Sequence, residues 1–527
     1  MTLVHFSYTI NQMNISTQII KYLQKNPPKS EKDILFAKRK FCKETKTHRA
    51  PSNSMLLAEY RRLKMSSPNL HNLLKKRGVR TLSGVAPIAV LTKPYPCPGN
   101  CAYCPNENEM PKSYLSNEPA VMRAILCKFN PYKQVQMRLQ ALNSNGHETD
   151  KLELIVMGGT WSYLPTSYQN RYITECFRAA NDFPRSIKKT KTTLEREQKR
   201  NETAKSRIIG LTLETRPDYI DKKELEKMRN FGCTRIEIGV QHIDDKVLKL
   251  NKRGHNNDAT IRATALMRDF GFKITYHMML NLAGSTPAKD LSMMKTIFTS
   301  PNYQPDQIKI YPTIVSKGSL LYNWHHQGKW KSYTTKQLVN LLIKIKSITP
   351  PWVRIIRVIR DIPEESIIAG NKITNMRQII QSEMKDKGVS CNCIRCREAG
   401  HALKNGNIVT AQKYFKRQYK VQNGKECFLS FESPNKKILY AFCRLFLPND
   451  SDTAIVRELH TYGQMASIGK IGNIQHTGLG KKLLASAEKL SRKSAYSKLS
   501  IISGIGVRNY YKKFNYKLDN TYMIKGI

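Results

Sequence analysis

Six short runs rich in β-branched residues occur between residues 85 and 313, and longer helical stretches separate them. Two of those stretches, KKELEKMRNFG and ATALMRDFGF, carry a glycine just before the next run, as helix C-termini commonly do. Because parallel strands need a long crossover connection, this alternation predicts a parallel α/β sheet, open or closed as a barrel. The predicted strands are residues 85–92, 152–159, 208–217, 234–241, 273–280 and 307–313.

Polar and glycine residues stand where several of these strands end. In a parallel α/β sheet the ligand binds at the carboxyl ends of the strands, so their convergence on one face indicates a binding mouth. Ordinary turn chemistry is the alternative for any one of them, and the better explanation for each glycine taken singly. The residues at these positions are Gly158, Gly159, Thr160, Glu214, Thr215, Arg216, Gln241 and Tyr311.

The stretch CPGNCAYC follows the first predicted strand and therefore falls on the same mouth. Its three cysteines, Cys97, Cys101 and Cys104, suit a 4Fe–4S cluster that keeps one iron free to bind S-adenosylmethionine for reductive cleavage. The spacing resembles the radical S-adenosylmethionine superfamily signature, and so does Tyr103 just before the last cysteine. A zinc knuckle is the alternative, although a tetrahedral zinc site needs a fourth ligand.

The chain is strongly basic, with 88 Lys and Arg against 40 Asp and Glu among 527 residues, a net charge of +48. A polyanion would neutralise this charge, so nucleic acid is the leading partner, with a host whose proteins are generally lysine-rich as the alternative. The length predicts two or three domains. Residues 1–80 are polar and basic and are expected to form a helical, cationic module.

The amino-terminal stretch lacks the apolar core of a signal peptide, and no segment approaches the ~18 consecutive apolar residues of a membrane span. We therefore expect a cytoplasmic protein without membrane contact. In that compartment the 12 cysteines are expected to be metal ligands or core residues and not disulfides.

A second cysteine group lies in CNCIRCREAGH, where Cys391, Cys393 and Cys396 have the spacing C-x-C-x2-C. These thiols are too distant in sequence to serve the first site without a long reach. With His401 or Cys427 as fourth ligand they would complete a structural zinc site, which is the interpretation we favour. The alternative is three reduced thiols in a turn.

Beyond residue 400 the pattern changes to antiparallel strands, CFLSFE, ILYAFCRLFL and AIVRELHTYG, followed by QHTGLGKKLLASAEKL. In the last stretch Gln475, Gly478 and Gly480 lead into an amphipathic helix. Glycine allows close backbone approach and a helix start offers free N–H groups, which favours a pyrophosphate ligand. Together with SIISGIGVRNYYKKFNY, this resembles the acetyltransferase fold that binds acetyl-coenzyme A, with Tyr510 or Tyr511 facing the thioester or packing in the core.

The combination of these two units resembles the catalytic subunit of the Elongator complex, the tRNA uridine carboxymethyl synthase family. The resemblance covers nearly the whole chain, in segments such as RTLSGVAPIAVLTKP, DKLELIVMGGT, GCTRIEIGVQ and IVRELHTYG. It implies a basic tRNA-binding module (1–80), a partial radical S-adenosylmethionine barrel (81–350), a linker with a possible zinc site (351–402) and a GNAT-type α/β acetyltransferase domain (403–527). CPNE after the cysteines, where many members have CPGG, and a short loop before Gln475 depart from the family pattern.

The resemblance also implies a reaction. Acetyl-coenzyme A supplies two carbons, a radical formed at the cysteine cluster activates its methyl group, and the product is a carboxymethyl group on C5 of the wobble uridine in a tRNA anticodon stem-loop. Lys151 and Tyr511 are implied as catalytic residues. Gly158 and Gly159, at the predicted mouth, are expected to bind a cofactor. The implied acetyl-coenzyme A contacts are Lys151, Glu458, Leu459, His460, Thr461, Gln475, Gly478, Leu479, Gly480, Lys481 and Tyr511.

Two other functions are compatible with the residues. A protein-lysine acetyltransferase would use the barrel only as a structural part, and a tRNA-binding scaffold would have lost activity. A basic surface suits tRNA and repels a lysine-rich peptide, and an intact cysteine triplet favours retained redox chemistry. The sequence leaves open whether accessory subunits like those of Elongator exist.

Overall fold

In the computed structural model a helical N-terminal region, a parallel sheet and a mixed sheet follow one another along the chain. The structure describes residues 3–76, 78–81, 83–185, 187, 191–404, 411–462 and 478–527. No helix among these residues is both long enough and apolar enough to cross a membrane.

The N-terminal region is a helical cluster with its own apolar core. Ile19, Ile20, Leu56 and Leu57 are fully buried in it, and Arg61 donates hydrogen bonds to Asn143 on the barrel. Its helices are α1 (Leu3–Lys25), α2 (Glu31–Glu44), α3 (Asn53–Arg62) and α4 (Pro68–Leu74).

Seven parallel strands form the first sheet, and their order in the sheet is their order in the sequence. The strands are β1 (Ala86–Leu91), β2 (Lys151–Met157), β3 (Arg207–Thr215), β4 (Arg235–Gln241), β5 (Lys273–Leu280), β6 (Gln307–Pro312) and β7 (Arg354–Arg357). All six predicted strands are confirmed. The seventh was not predicted, because four residues with an arginine at each end give little periodicity, and it lies beyond the barrel boundary expected at residue 350.

Helices cover the outer face of this sheet and form a partial barrel with it. Gly232 follows the helix Lys222–Asn230 with φ of +84°, and Gly271 follows the helix Asn257–Asp269 with φ of +79°. This left-handed conformation commonly ends a helix before the next strand. The helices are α5 (Pro119–Leu126), α6 (Pro131–Ser144), α7 (Thr166–Asp182), α8 (Leu194–Asn201), α9 (Lys222–Asn230), α10 (Asp245–Leu250), α11 (Asn257–Asp269), α12 (Pro287–Thr299), α13 (Leu320–His326), α14 (Thr335–Ser347), α15 (Met376–Asp386), α16 (Ile394–Arg397) and α17 (Ala399–Lys404).

The C-terminal sheet is mixed, with the order β13-β14-β12-β11-β10-β9-β8. Its parallel pair, β11 and β12, separates after Val456 and Ile501, while β11 continues to Thr461 and leaves a V-shaped opening. The elements are β8 (Lys413–Val421), β9 (Gly424–Glu432), β10 (Leu439–Pro448), β11 (Thr453–Thr461), α18 (Leu479–Lys493), β12 (Lys498–Ile501), α19 (Arg508–Lys512), β13 (Lys517–Asp519) and β14 (Tyr522–Gly526).

Buried ion pairs join the two sheets at the amino ends of the barrel strands. Asp306, next to the start of β6, is fully buried and contacts Arg457 at 2.5 Å and Arg444 at 3.3 Å. Lys273, the first residue of β5, contacts Glu458 at 2.7 Å. The C-terminal sheet therefore packs against the end of the barrel opposite the cysteine loop.

Replacing Asp306 by Asn should lower the free energy of unfolding by about 3–5 kcal/mol, because two buried arginines each lose one of their two carboxylate partners. Burial alone would raise the pKa of Asp306, but Arg457 and Arg444 outweigh it and lower that pKa. The ion pairs thus stabilise the fold above about pH 4 and lose their effect as the pH falls below it. Urea unfolding monitored by fluorescence measures the change.

Asp452→Asn is the matched control, since Asp452 pairs with Lys498 on the surface, where both side chains are more than half exposed. We expect its unfolding midpoint to equal that of the wild type. An Asp306→Asn protein with the wild-type midpoint would contradict the role given to the buried ion pairs.

Candidate active site

The loop that carries Cys97, Cys101 and Cys104 follows β1 and is fixed by backbone hydrogen bonds. Ala102 donates its N–H to the carbonyl of Asn251 at 3.0 Å, and its own carbonyl accepts from Leu321 at 2.8 Å. The loop is thereby tied to the segments after β4 and β6, and the cysteines lie at the carboxyl end of the barrel as predicted.

A buried arginine contacts the central cysteine of the loop. Arg253 donates from Nη1 to Sγ of Cys101 at 3.5 Å and from Nη2 to the carbonyl of Gly239 at 2.6 Å. A hydrogen bond from Cys104 and the Arg253 guanidinium lower the pKa of Cys101 to about 4, while the pKa of Cys104 is raised. Cys101 is therefore held as a thiolate, the form that binds metal.

The three loop cysteines do not form a single tight group. Cys101 and Cys104 are hydrogen-bonded to each other, whereas Cys97 Sγ lies 3.7 Å from Oγ1 of Thr160. The three sulfurs do not all lie within 4.8 Å of one another in the described structure.

Unpaired donors surround the cysteine loop. Nη1 of Arg216 and Nε of Arg253 are buried and find no hydrogen-bond partner among the described residues. Gly99 permits this arrangement, because a Cβ there would lie 2.1 Å from Nη1 of Arg216. Buried cationic donors without partners fit an anionic group such as the carboxylate of an amino-acid cofactor.

The cysteine loop forms one wall of a cavity of about 640 Å³ in the mouth of the barrel. Gly158 is next to a lining residue, Gly159, but does not itself line the cavity. Its φ is +124° and a Cβ would lie 2.2 Å from Oγ1 of Thr92, so only glycine fits there. The other predicted mouth residues line the cavity: Gly159, Thr160, Glu214, Thr215, Arg216, Gln241 and Tyr311.

Four charged or titratable side chains lie deeper in this cavity. Ligand atoms of Glu214, Glu237 and His277 lie within 4.8 Å of one another, as they would around a cation. Lys309 occupies that position, because its ammonium pairs with Glu237 and lies 3.2 Å from Glu214. The lysine thus supplies the positive charge that a metal ion would otherwise supply.

Sequence reasoning missed Glu237, His277 and Lys309. Burial alone would raise the pKa of Glu237, but Lys309 and the 2.7 Å hydrogen bond to His277 hold it well below its usual range. Each of the three stands between two apolar neighbours and lies two residues from another polar residue of its strand. Charged residues at alternate positions of buried parallel strands were the signal that could have revealed a polar barrel interior.

The second cysteine group is compact. The sulfurs of Cys391, Cys393 and Cys396 lie within 4.8 Å of one another, and Cys393 is fully buried. Lys346 of α14, itself buried, donates to Cys396 Sγ at 3.5 Å. Three thiols at this spacing fit three positions around a zinc ion.

Neither residue considered as the fourth zinc ligand joins this group in the described structure. His401 instead contacts Glu398 through Nε2 at 3.0 Å. Cys427 is buried in β9, within the apolar core of the C-terminal sheet. The expected fourth ligand is therefore not found, because His401 pairs with a carboxylate and Cys427 lies in another core.

The glycine turn of the C-terminal sheet leads into α18, which begins at Leu479. Gly478 precedes it with φ of +87°, and a Cβ on Gly480 would lie 2.9 Å from the hydroxyl of Tyr510. Leu479 is buried and Lys481 is exposed. The turn thus presents the N-terminus of a 15-residue helix, whereas Gln475 lies outside the described residues.

Glu458 and His460, two of the implied acetyl-coenzyme A contacts in β11, form side-chain contacts with the barrel region. Glu458 pairs with Lys273 and Arg444, which lower its pKa to about 2 although burial alone would raise it. His460 contacts the carbonyl of Ser83 at 2.8 Å through Nε2.

The neighbouring Leu459 packs against the core of the C-terminal sheet, and Thr461 ends β11. Lys151 begins β2 and so lies at the amino end of the barrel, the end on which the C-terminal sheet packs. Burial lowers the pKa of Lys151.

The two tyrosines of α19 differ in exposure. Tyr511 is only 7% exposed and packs in the core of the sheet, and burial raises its pKa. Tyr510 is 37% exposed, and its hydroxyl approaches the glycine turn. Of the two hydroxyls, that of Tyr510 therefore lies beside the turn.

The fold and the cysteine loop define a radical S-adenosylmethionine protein that carries an acetyltransferase-type domain. Residues 95–296 match the radical SAM superfamily, and residues 305–386 match the radical SAM C-terminal domain. The tRNA uridine(34) acetyltransferase of Dehalococcoides mccartyi is 42% identical over 464 residues, which are 85% of this chain and 99% of that protein. Human Elongator complex protein 3 is 37% identical over 86% of each chain.

A solved structure agrees with these matches. Archaeal Elp3 from Methanocaldococcus infernus, lacking its N-terminal residues, superposes with a TM-score of 0.75 and 38% identity, over 84% of this chain and all of that one. The chain belongs to the family of Elongator complex protein 3 and the tRNA uridine(34) acetyltransferases.

Anaerobically reconstituted protein should hold about four irons per chain with the charge-transfer absorption of a 4Fe–4S centre. Cys97→Ala, Cys101→Ala and Cys104→Ala should each abolish that absorption, since each removes one of three ligands. Cys396→Ala is the matched control and should keep all the iron. A full cluster in any of the first three variants would overturn the assignment.

Proposed function

We propose that this protein modifies the wobble uridine of tRNA by adding a carboxymethyl group to C5, with acetyl-coenzyme A as the carbon source. The observation that carries the proposal is the cysteine loop, with Arg253 3.5 Å from Cys101 and with unpaired Arg216 and Arg253 donors beside it, at a cavity large enough for a nucleotide. The names of the relatives, which specify tRNA uridine(34), support the substrate.

In this proposal Cys97, Cys101 and Cys104 hold the cluster, and Gly158 and Gly159 let the backbone approach S-adenosylmethionine. When bound, these groups supply one-electron chemistry that generates a carbon radical. Arg253 orients Cys101 and excludes water from it, since both residues are buried. The second cysteine group would hold a structural zinc ion near the junction of the two sheets.

Acetyl-coenzyme A would bind at the glycine turn before α18, where free N–H groups and the helix dipole favour a pyrophosphate. Lys151 and Tyr511 keep the catalytic roles that the family resemblance implies. Support for Lys151 is its position at the amino end of β2, the end of the barrel on which the C-terminal sheet packs, with a pKa lowered by burial. Tyr510, beside Gly480, is a further candidate contact.

The tRNA would be bound chiefly through its phosphates. Residues 1–80 form the proposed tRNA-binding module, followed by the barrel, the linker segment and the acetyltransferase-type domain as expected from the sequence. The exposed cations of the module supply the phosphate contacts. They include Lys21, Lys25, Lys29, Lys32, Arg39, Lys40, Lys43 and Lys46.

Gly480→Asp should abolish carboxymethyluridine formation while leaving the cluster and tRNA binding intact. The added carboxylate repels the pyrophosphate, whereas an acidic residue in the first turn suits the helix itself, so the fold should persist. Gly480→Asn is the matched control, because it adds the same shape without charge. Nucleoside mass spectrometry of incubated tRNA should show substantial product for Asn and none for Asp.

Product at the wild-type rate from the Asp variant would mean that the carbon unit does not come from this turn. Equal loss of product in both variants would instead mean that the new side chain collides with Tyr510, whose hydroxyl lies 2.9 Å from the Cβ position.

Replacing Lys25, Lys32, Arg39 and Lys43 by Gln should weaken tRNA binding and flatten its salt dependence. Each lost phosphate contact reduces the slope of log affinity against log salt by as much as about 0.9. Fluorescence anisotropy at several salt concentrations measures the slope.

The control replaces Lys513 and Lys517, exposed residues of the C-terminal region, and should leave the slope unchanged. An unchanged slope in the N-terminal variant would contradict the tRNA-binding role of this module.

A further inference from the structure

Three tyrosines form a cluster on the rim of the barrel mouth. The ring centroids of Tyr95 and Tyr163 are 6.0 Å apart, and those of Tyr163 and Tyr219 are 5.9 Å apart. Tyr95 is 36% exposed and Tyr163 is 42% exposed, while Tyr219 is half-buried. We call these three residues the tyrosine rim.

The tyrosine rim adjoins the cavity through its position on three successive strand ends. Tyr95 precedes Cys97 by two residues in the sequence, and Tyr163 and Tyr219 each follow a cavity-lining residue, Thr160 and Arg216, by three. The rim therefore borders the mouth next to the cysteine loop.

The rim is held rigidly although it is exposed. Next to Tyr163, Trp161 is buried, and its carbonyl accepts from Nε2 of Gln169 at 2.8 Å. Ser162 accepts from the hydroxyl of Thr215 at 2.8 Å, which ties this turn to the end of β3. Tyr219 donates its N–H to the carbonyl of Arg216 at 3.2 Å. These bonds pre-organise the turns that carry Tyr163 and Tyr219, and pre-organised side chains bind a partner at little entropic cost.

The charge around the rim suits a polyanion. Lys93, two residues before Tyr95, is exposed and lies 5.1 Å from the ring of Tyr168. The nearby Asp218 is neutralised by Arg216 at 2.8 Å. The rings meet edge to face, at interplanar angles of 61° and 85°, so each presents a separate aromatic face. Exposed aromatic rings beside a cation are typical of sites where unpaired nucleotides stack.

We propose that the tyrosine rim stacks the unpaired bases that neighbour the modified uridine in the anticodon loop. This inference rests on the proposed function. Chemistry on a base inside the cavity requires that base to leave its stack, which exposes the faces of the adjacent bases. The exposed rings of the rim can stack on those bases at the edge of the cavity.

The test compares the binding of an anticodon stem-loop by wild-type protein and by Tyr163→Ala, the most exposed member of the rim. Loss of one stacking partner should weaken binding about tenfold, from the ~1–3 kcal/mol that such stacking contributes. The slope against salt should stay unchanged, since no phosphate contact is lost. Tyr163→Phe keeps the ring and should bind like the wild type.

Tyr414→Ala is the matched control, because Tyr414 is 40% exposed on β8, in the C-terminal sheet. It should bind the stem-loop like the wild type. A second measurement places 5-iodouridine beside the wobble position and identifies photo-crosslinked peptides by mass spectrometry, where we expect Tyr95, Tyr163 or Tyr219.

The outcomes separate this inference from the proposed function. Wild-type protein that binds no stem-loop would overturn both. Normal binding by Tyr163→Ala, together with crosslinks elsewhere, would overturn the tyrosine rim alone and leave the tRNA function standing. A changed salt slope with an equal loss in Tyr163→Phe would also overturn it, since the hydroxyl would then be contacting phosphate.

Discussion

The buried ion pairs around Asp306 fix the geometry on which the rest of the molecule depends. They hold β10 and β11 of the C-terminal sheet against the amino ends of the barrel strands, through Arg444 and Arg457. The cysteine loop stands at the carboxyl ends of the same strands. The two proposed cofactor sites therefore lie on opposite ends of one barrel, and any carbon unit that passes between them must pass through or around its interior.

The interior of the barrel is lined with charged side chains and could therefore accommodate a polar group. Where many parallel sheets carry apolar side chains, this one carries Glu214, Glu237, His277 and Lys309. Closer to the C-terminal sheet, Arg235 pairs with Glu153 at 2.7 Å. Each of these charges is compensated by a partner on another strand, which offsets the cost of burying it. This row of compensated charges links the two ends.

Sequence reasoning located most of the fold and the mouth of the site. The six longer barrel strands, the cysteine loop and the glycine turn follow from local patterns, and local patterns are what a sequence displays. β7 is too short to show a periodic pattern, and β8 contains four basic residues among its nine, as a surface segment would. The pairing of Lys309 with Glu237 joins residues 72 positions apart, so no local pattern reveals it.

The central claim is that one chain couples the acetyltransferase-type site to the radical cavity. The most direct measurement incubates reconstituted protein anaerobically with tRNA, S-adenosylmethionine, a reductant and acetyl-coenzyme A labelled isotopically in its acetyl group, followed by nucleoside mass spectrometry. The account predicts carboxymethyluridine that carries the label, made by the wild type and absent in Cys101→Ala. Unmodified uridine accompanied by labelled acetyl-lysine on added protein would contradict it.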